Sequence, residues 1–198
     1  WLRRGLRVGA GADDGRALRH DGTSDHPYTE KDATNPQSVY GRTKLEGEQA
    51  IKKSGCLYII IRTAWLYSGY GHNFVKTISR LASERDELNV VNDQWGTPTY
   101  AGDLAEAIIS IMERDDLPEL EGVYHFTNEG ACTWYDFAKE IVAFTGANCK
   151  VNPVTTEEYP SKVKRPAYSI LDKTKIKETF DLEIRDWREA LKSCMATF

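Results

Sequence analysis

The run Leu57-Tyr58-Ile59-Ile60-Ile61 constrains the fold more than any other feature of this 198-residue chain. It has no polar face, so a strand formed here must be covered on both sides, as strands of parallel sheets are. A parallel neighbour needs a crossover, and helix-like patterns flank the run on either side. Before it, Asn35 is expected to cap a helix with Pro36 in the first turn, running to about Lys53 and stopping at Gly55. After it, a helix is expected from Asn73 to about Ser83, with Phe74, Ile78 and Leu81 on one face. Strand patterns at 88–91, 123–126 and 149–154 alternate with helix patterns at 101–113 and from Thr133 to about Gly146, the latter opened by a Thr133/Asp136 capping box. Two short helices, near 172–179 and 185–195, close the chain. Alternation of this kind predicts an α/β fold.

Composition narrows the function. The formal net charge is -4 and no basic stripe stands out, which argues against nucleic acid or a membrane surface as partner. No apolar run approaches the ~18 residues of a spanning helix, and no charged-then-apolar signal segment opens the chain. Cys56, Cys132, Cys149 and Cys194 are scattered without metal-site spacing, so they read as buried or idle thiols of a reducing, cytoplasmic compartment. The four histidines form no cluster.

Chemistry enters with Tyr40 and Lys44 in SVYGRTKLEGEQAI. Four residues apart on a helix, they share a face. A phenol ionises near pH 10, and a neighbouring ammonium stabilises the phenolate, which makes the phenol a more capable acid at neutrality. Gly47 and Ile51 continue that face and are expected to let the helix lie close to the sheet. Asp32, Glu46 and Glu48 read as surface charges, with Glu48 paired along the helix to Lys44 or Lys52. Tyr and Lys at this spacing are also common on helices with no such role.

The stretch DGTSDHPYTEKDATNPQSVYGRTKLEGEQAI, followed in order by IIRTAWLYSGYGHNFVKTI, VVNDQWGTPTYAGDLAEAI, GVYHFTNEGACTWYDFAKEI and KRPAYSILDKTKI, resembles the extended short-chain dehydrogenase/reductase family. Within it, the resemblance is to the branch that reduces 4-keto-deoxysugars carried on dTDP, and it covers nearly everything from Asp21 onward. It implies a partial Rossmann-like parallel sheet flanked by helices, with a small C-terminal substrate-binding subdomain. The implied reaction is reduction of dTDP-4-dehydro-L-rhamnose to dTDP-L-rhamnose by NADPH or NADH. Tyr40 would supply the proton, Lys44 would tune Tyr40 and hold the nicotinamide ribose, and Arg62 and Thr63 would lie beside the nicotinamide. For the dTDP-sugar, the resemblance implies Trp65, Asn73, Gln94, Thr97 and Arg165; the guanidinium suits a diphosphate through paired hydrogen bonds. Trp65 as a core residue, Asn73 as a plain helix cap, and Gln94 and Thr97 as members of a tight turn are the competing structural readings. Lys162 and Lys164 read as solvated. A homodimer and a magnesium ion accompany some family members, and no residue here establishes either. A related nucleotide-sugar epimerase or dehydratase, and a non-catalytic subunit resembling the regulatory subunit of methionine adenosyltransferase, are the alternatives.

Residues 1–20 have a different texture, rich in Arg, Gly and Ala and without sustained apolar period. Gly9, Gly11 and Gly15 imitate a dinucleotide phosphate loop, yet only 24 residues lie between Gly15 and Tyr40. Several βαβ units of about 30 residues should intervene. Leu6-Arg7-Val8 also reads as too short and polar for a buried first strand, no amphipathic helix pattern follows Gly15, and Gly15-Arg16 stand where the family has a catalytic Ser/Thr. The segment is therefore expected to be non-native or disordered, from a shifted reading frame, an expression remnant or a truncated gene product. The chain from Asp21 is expected to be a substrate-binding fragment with impaired cofactor binding and little activity alone.

Overall fold

The computed structural model describes residues 7–11, 22, 24–36, 38–159 and 165–198. The elements run β1 (Arg7–Gly11), α1 (Val39–Lys53), β2 (Tyr58–Arg62), β3 (Leu66–Tyr67), α2 (Phe74–Glu84), β4 (Glu87–Val91), β5 (Trp95–Gly96), β6 (Thr99–Tyr100) and α3 (Ala101–Met112). A 3-10 turn (Leu117–Leu120), β7 (Gly122–His125), β8 (Cys132–Thr133), α4 (Trp134–Thr145), β9 (Lys150–Val154), α5 (Thr174–Phe180) and α6 (Trp187–Met195) complete the order. The fold is α/β, with parallel strand pairs flanked by helices.

β2 is the centre of a three-stranded parallel sheet, ordered β1-β2-β7. Ile59, Ile60 and Ile61 are all buried, as an unbroken apolar run requires. Ile59 and Ile61 pack with Leu104, Ala107 and Ile111 of α3 and with Ile176 and Phe180 of α5. A second core lies under the C-terminal elements, where α2, α4 and α6 bury Val75, Phe137, Ile141, Trp187 and Leu191. There β4 pairs with β9 in parallel, β3 pairs with β6 in parallel, and β5 pairs with β8 antiparallel.

Three expectations change. Arg7–Gly11 is a strand, paired residue for residue with Tyr58–Arg62. Ladder hydrogen bonds use only backbone groups, so an edge of β2 can recruit a segment that lacks apolar patterning. Gly9 and Gly11 therefore belong to a paired strand and not to a phosphate-binding turn, whereas Gly15 and the hydroxyl position at 15–16 lie outside the described residues. Helix α1 begins after Ser38, whose side chain accepts from Gly41 N at 3.0 Å, so the cap falls three residues later than Asn35. Serine offers the same acceptor as asparagine, and the residue beside a proline resists helical geometry. Gly47, finally, is exposed, and a Cβ there would meet no atom within 4 Å, because Gly41 and Glu48 are the residues that α1 buries.

Candidate functional site

Helix α1 carries Tyr40 and Lys44 on one face, as the spacing requires. The Lys44 ammonium lies 5.0 Å from the Tyr40 ring centroid, and Tyr40 is 38% exposed, so the pair is together and reachable. What seats this helix is a residue expected at the surface. Glu48 is buried and takes two hydrogen bonds from Arg62 at the end of β2, from Nε at 3.1 Å and from Nη2 at 2.8 Å. A long carboxylate facing a strand end finds a fixed fork-shaped partner there, which neither Lys44 nor Lys52 offers. The Arg62 guanidinium is thus committed to α1, and its Nη1 alone has no hydrogen-bond partner among the described residues.

Beyond β2 the chain turns through Thr63, Ala64 and Trp65. The Thr63 hydroxyl donates to Thr99 Oγ1 at 3.1 Å, and Thr99 Oγ1 donates to the Ala64 carbonyl at 2.6 Å. Thr99 N also donates to the Trp65 carbonyl at 3.1 Å. Held this way, Trp65 adopts φ 50, an uncommon backbone conformation for so large a residue. Its indole is 4% exposed and stacks on Trp134, with centroids 3.6 Å apart and planes within 12°. A Cβ at Gly96 would come within 2.5 Å of the Trp65 ring, so glycine is what lets the indole lie flat there. Trp65 is a core residue in this arrangement, touching through Trp134 a cavity that it does not itself line.

That cavity, about 540 Å³, lies against α2 and β4. Phe74, Leu81, Val90 and Trp134 give it apolar walls, and Gln94 and Arg165 bring polar groups to it. Two of the residues singled out in the sequence therefore meet here. Asn73 caps α2, with Oδ1 accepting from Lys76 N at 3.1 Å and Nδ2 donating to Ser68 O at 2.7 Å. Thr97, fully buried, donates to Gly130 O at 2.8 Å. Both side chains are occupied in holding the fold. Lys162 and Lys164 lie outside the described residues.

Sequence reasoning missed Thr156 and Tyr159, which also line the cavity, and Asp93, which fixes Thr156. Burial works against ionisation of Asp93, but hydrogen bonds from the Thr156 hydroxyl and backbone outweigh it and hold the carboxyl below its usual range. The sequence signal for this contact was weak, since Thr156 lies 63 residues from Asp93. Among the described residues no group of three or more His, Cys, Asp or Glu side chains could hold a metal ion, and no helix is long and apolar enough to cross a membrane.

Residues 20–198 match the model of the RmlD substrate binding domain. The chain belongs to that family. Among its relatives, the dTDP-4-dehydrorhamnose reductase of Aggregatibacter actinomycetemcomitans is 45% identical over 186 residues, which is 89% of this chain and 63% of the relative. The spore coat polysaccharide biosynthesis protein SpsK of Bacillus subtilis is 43% identical, over 87% of this chain and 59% of its own. In structure, the dTDP-4-dehydrorhamnose reductase of Bacillus anthracis, solved in complex with NADP, superposes with a TM-score of 0.86 at 36% identity, covering 98% of this chain and 65% of that one. An ortholog from Clostridium acetobutylicum gives 0.84 at 45% identity, with 97% and 65% covered. The chain thus spans a little under two thirds of the length of these relatives.

Proposed function

We propose that this chain forms the substrate-binding part of an oxidoreductase that reduces dTDP-4-dehydro-L-rhamnose to dTDP-L-rhamnose with NADPH or NADH. The observation that carries the reading is the Lys44 ammonium over the exposed Tyr40 phenol, in a member of the RmlD substrate-binding family. Reducing a ketone leaves an alkoxide that must take a proton. Tyr40 is the donor, and the charge of Lys44 is placed to stabilise the phenolate that remains. Glu48 and Arg62 hold the helix that presents the pair, so Arg62 reaches the nicotinamide side as a support for α1. Arg165 takes the diphosphate, and the apolar walls with Gln94 take the nucleoside.

The cofactor supplies hydride when bound. Tyr40 and Lys44 fit the nicotinamide ribose, with hydroxyl and ammonium on one accessible helix face. Gly9 and Gly11 lie in β1, and Gly15 lies outside the described residues. Residues 1–20 remain, on this reading, foreign to the family pattern, and turnover by the chain alone is expected to be poor. A non-catalytic binding subunit on the same scaffold is the second reading, favoured by that same commitment of the two glycines.

Calorimetric titration separates these outcomes. The proposal expects dTDP to bind, Arg165→Met to weaken it at least about tenfold through loss of charge-assisted hydrogen bonds, and NADPH to bind weakly. Absence of dTDP binding refutes the reading. Ketone-dependent oxidation of NADPH that vanishes in Tyr40→Phe would refute the non-catalytic alternative.

A further inference from the structure

Tyr28 joins parts of the chain that the site needs together. Its backbone lies beside the segment that follows Arg165: Tyr28 N donates to Ile170 O at 2.9 Å, and Asp172 N donates to Tyr28 O at 2.8 Å. The His125 ring, at the end of β7, brings Nδ1 within 3.1 Å of the same carbonyl. From this anchored position the phenol, on a residue 6% exposed, reaches back along its own chain. Its oxygen accepts from Gly22 N at 3.0 Å and from Ser24 N at 3.2 Å, which draws Gly22 and Ser24 around it. Gly22 takes φ 81 and lies so close to Pro166 that a Cβ would come within 2.1 Å of the proline Cβ. Gly22 is thus the seat of Pro166, and the Tyr28 phenol is what holds the seat in place.

Resting on the reading that Arg165 takes the diphosphate, we propose that Tyr28 is the positioning residue for that guanidinium. Arg165 is followed by proline, which keeps its backbone extended and out of helical geometry. Pro166 has a fixed φ, so a ring pinned against Gly22 sets the direction in which the preceding residue leaves it. On the other side, Ala167 O accepts from Trp95 N at 2.7 Å, which ties the segment to the loop after β4. Between these supports Arg165 enters the cavity walled by Phe74, Val90 and Trp134 from a fixed direction. A guanidinium grips a diphosphate through paired, directional hydrogen bonds, and these are lost when the backbone that carries it shifts. The chain continues from Tyr28 to Ser38, which caps α1. On the way Glu30 ties it to β7, accepting from His125 N at 2.9 Å. Tyr28 therefore sets where the cation for the diphosphate stands relative to the helix that carries Tyr40 and Lys44.

The test is a double-mutant cycle, read by calorimetric titration of the 198-residue chain with dTDP, in the wild type, Tyr28→Phe, Arg165→Met and the variant carrying both changes. Phenylalanine keeps the ring and removes the acceptor. Tyr28→Phe is expected to bind dTDP roughly five- to tenfold more weakly than the wild type, and to change the affinity of Arg165→Met by less than about twofold. A loss of equal size in both backgrounds is that of a merely structural residue and overturns the proposal. So does a Tyr28→Phe that binds within about twofold of the wild type while Arg165→Met binds weakly, and the diphosphate reading then stands. Gly22→Ala displaces Pro166 without altering Tyr28, and it carries the same cycle should Tyr28→Phe fail to fold. Its loss of affinity is expected to vanish in Arg165→Met, and a loss that persists there overturns the proposal. An Arg165→Met that binds as tightly as the wild type, or a wild type that does not bind dTDP, overturns both readings.

Discussion

Replacing Arg62 by methionine removes the guanidinium and keeps an unbranched side chain of comparable length, so its main effect is to take from Glu48 the two hydrogen bonds that Arg62 donates. The Glu48 side chain is 4% exposed and that of Arg62 6%, which makes this a buried pair in the strict sense. Breaking such a pair from one side costs about 3–5 kcal/mol, because the carboxylate keeps its desolvation penalty without the guanidinium. The loss should concentrate on α1, whose fully buried residues are Gly41 and Glu48. At 1.36 kcal/mol per factor of ten, α1 amides should exchange with solvent roughly 10²- to 10⁴-fold faster than in the wild type. Amides of β2, held between two strands, should change far less. The paired replacement Glu48→Met with Arg62→Met removes both charges and should return stability to within about 1 kcal/mol of the wild type, or above it. Urea denaturation of the four proteins of this cycle, with hydrogen exchange read on α1, makes the measurement. A single variant within about 0.5 kcal/mol of the wild type, with α1 protection unchanged, would refute the argument that this pair seats the Tyr40–Lys44 helix.

Other outcomes follow from the same geometry. Gly96→Ala should destabilise the chain by about 1–3 kcal/mol through overpacking and weaken the near-ultraviolet circular dichroism of the Trp65–Trp134 stack; an unchanged spectrum would contradict it. Burial raises the Cys132 thiol far above its ordinary range and pushes Cys194 up to about 11, so a brief treatment with iodoacetamide near neutrality should spare both and label half-buried Cys56 first. Mass spectrometry of the digested protein reads the result. Burial resists ionisation of Glu129, but hydrogen bonding to Lys177 and the charge of Lys173 outweigh it and hold the carboxyl below its ordinary 4.5. Its contribution to stability is therefore complete above that value and lost as pH falls through the lower folded-state value. Glu129→Gln should be less stable than the wild type at neutral pH, with the difference shrinking as pH falls below the carboxyl's ordinary value; a difference that does not shrink in acid would assign the effect to packing.

Much of this architecture follows from contacts a few residues long, and those were legible in the sequence. The apolar run at 57–61 fixes a strand covered on both faces whatever surrounds it. Asn73 accepts from Lys76 N, and Thr133 and Asp136 close a reciprocal box, because each motif satisfies backbone donors only three residues away. Helical pitch alone brings Lys44 over Tyr40. Position along the chain says nothing, by contrast, about which charge will be buried. Glu48 looks like any solvated glutamate until Arg62, 14 residues on, meets it at the end of the strand it faces. The β1 ladder was hidden because backbone pairing leaves no side-chain pattern. That Trp65 stacks on Trp134, that Thr97 donates to Gly130 O, and that Gln94 and Arg165 line one cavity came only when segments up to 74 residues apart closed on one another. Local hydrogen bonds and periodicity can be read one turn at a time. Burial and the shape of a cavity are properties of surfaces meeting, and only the assembled chain has them.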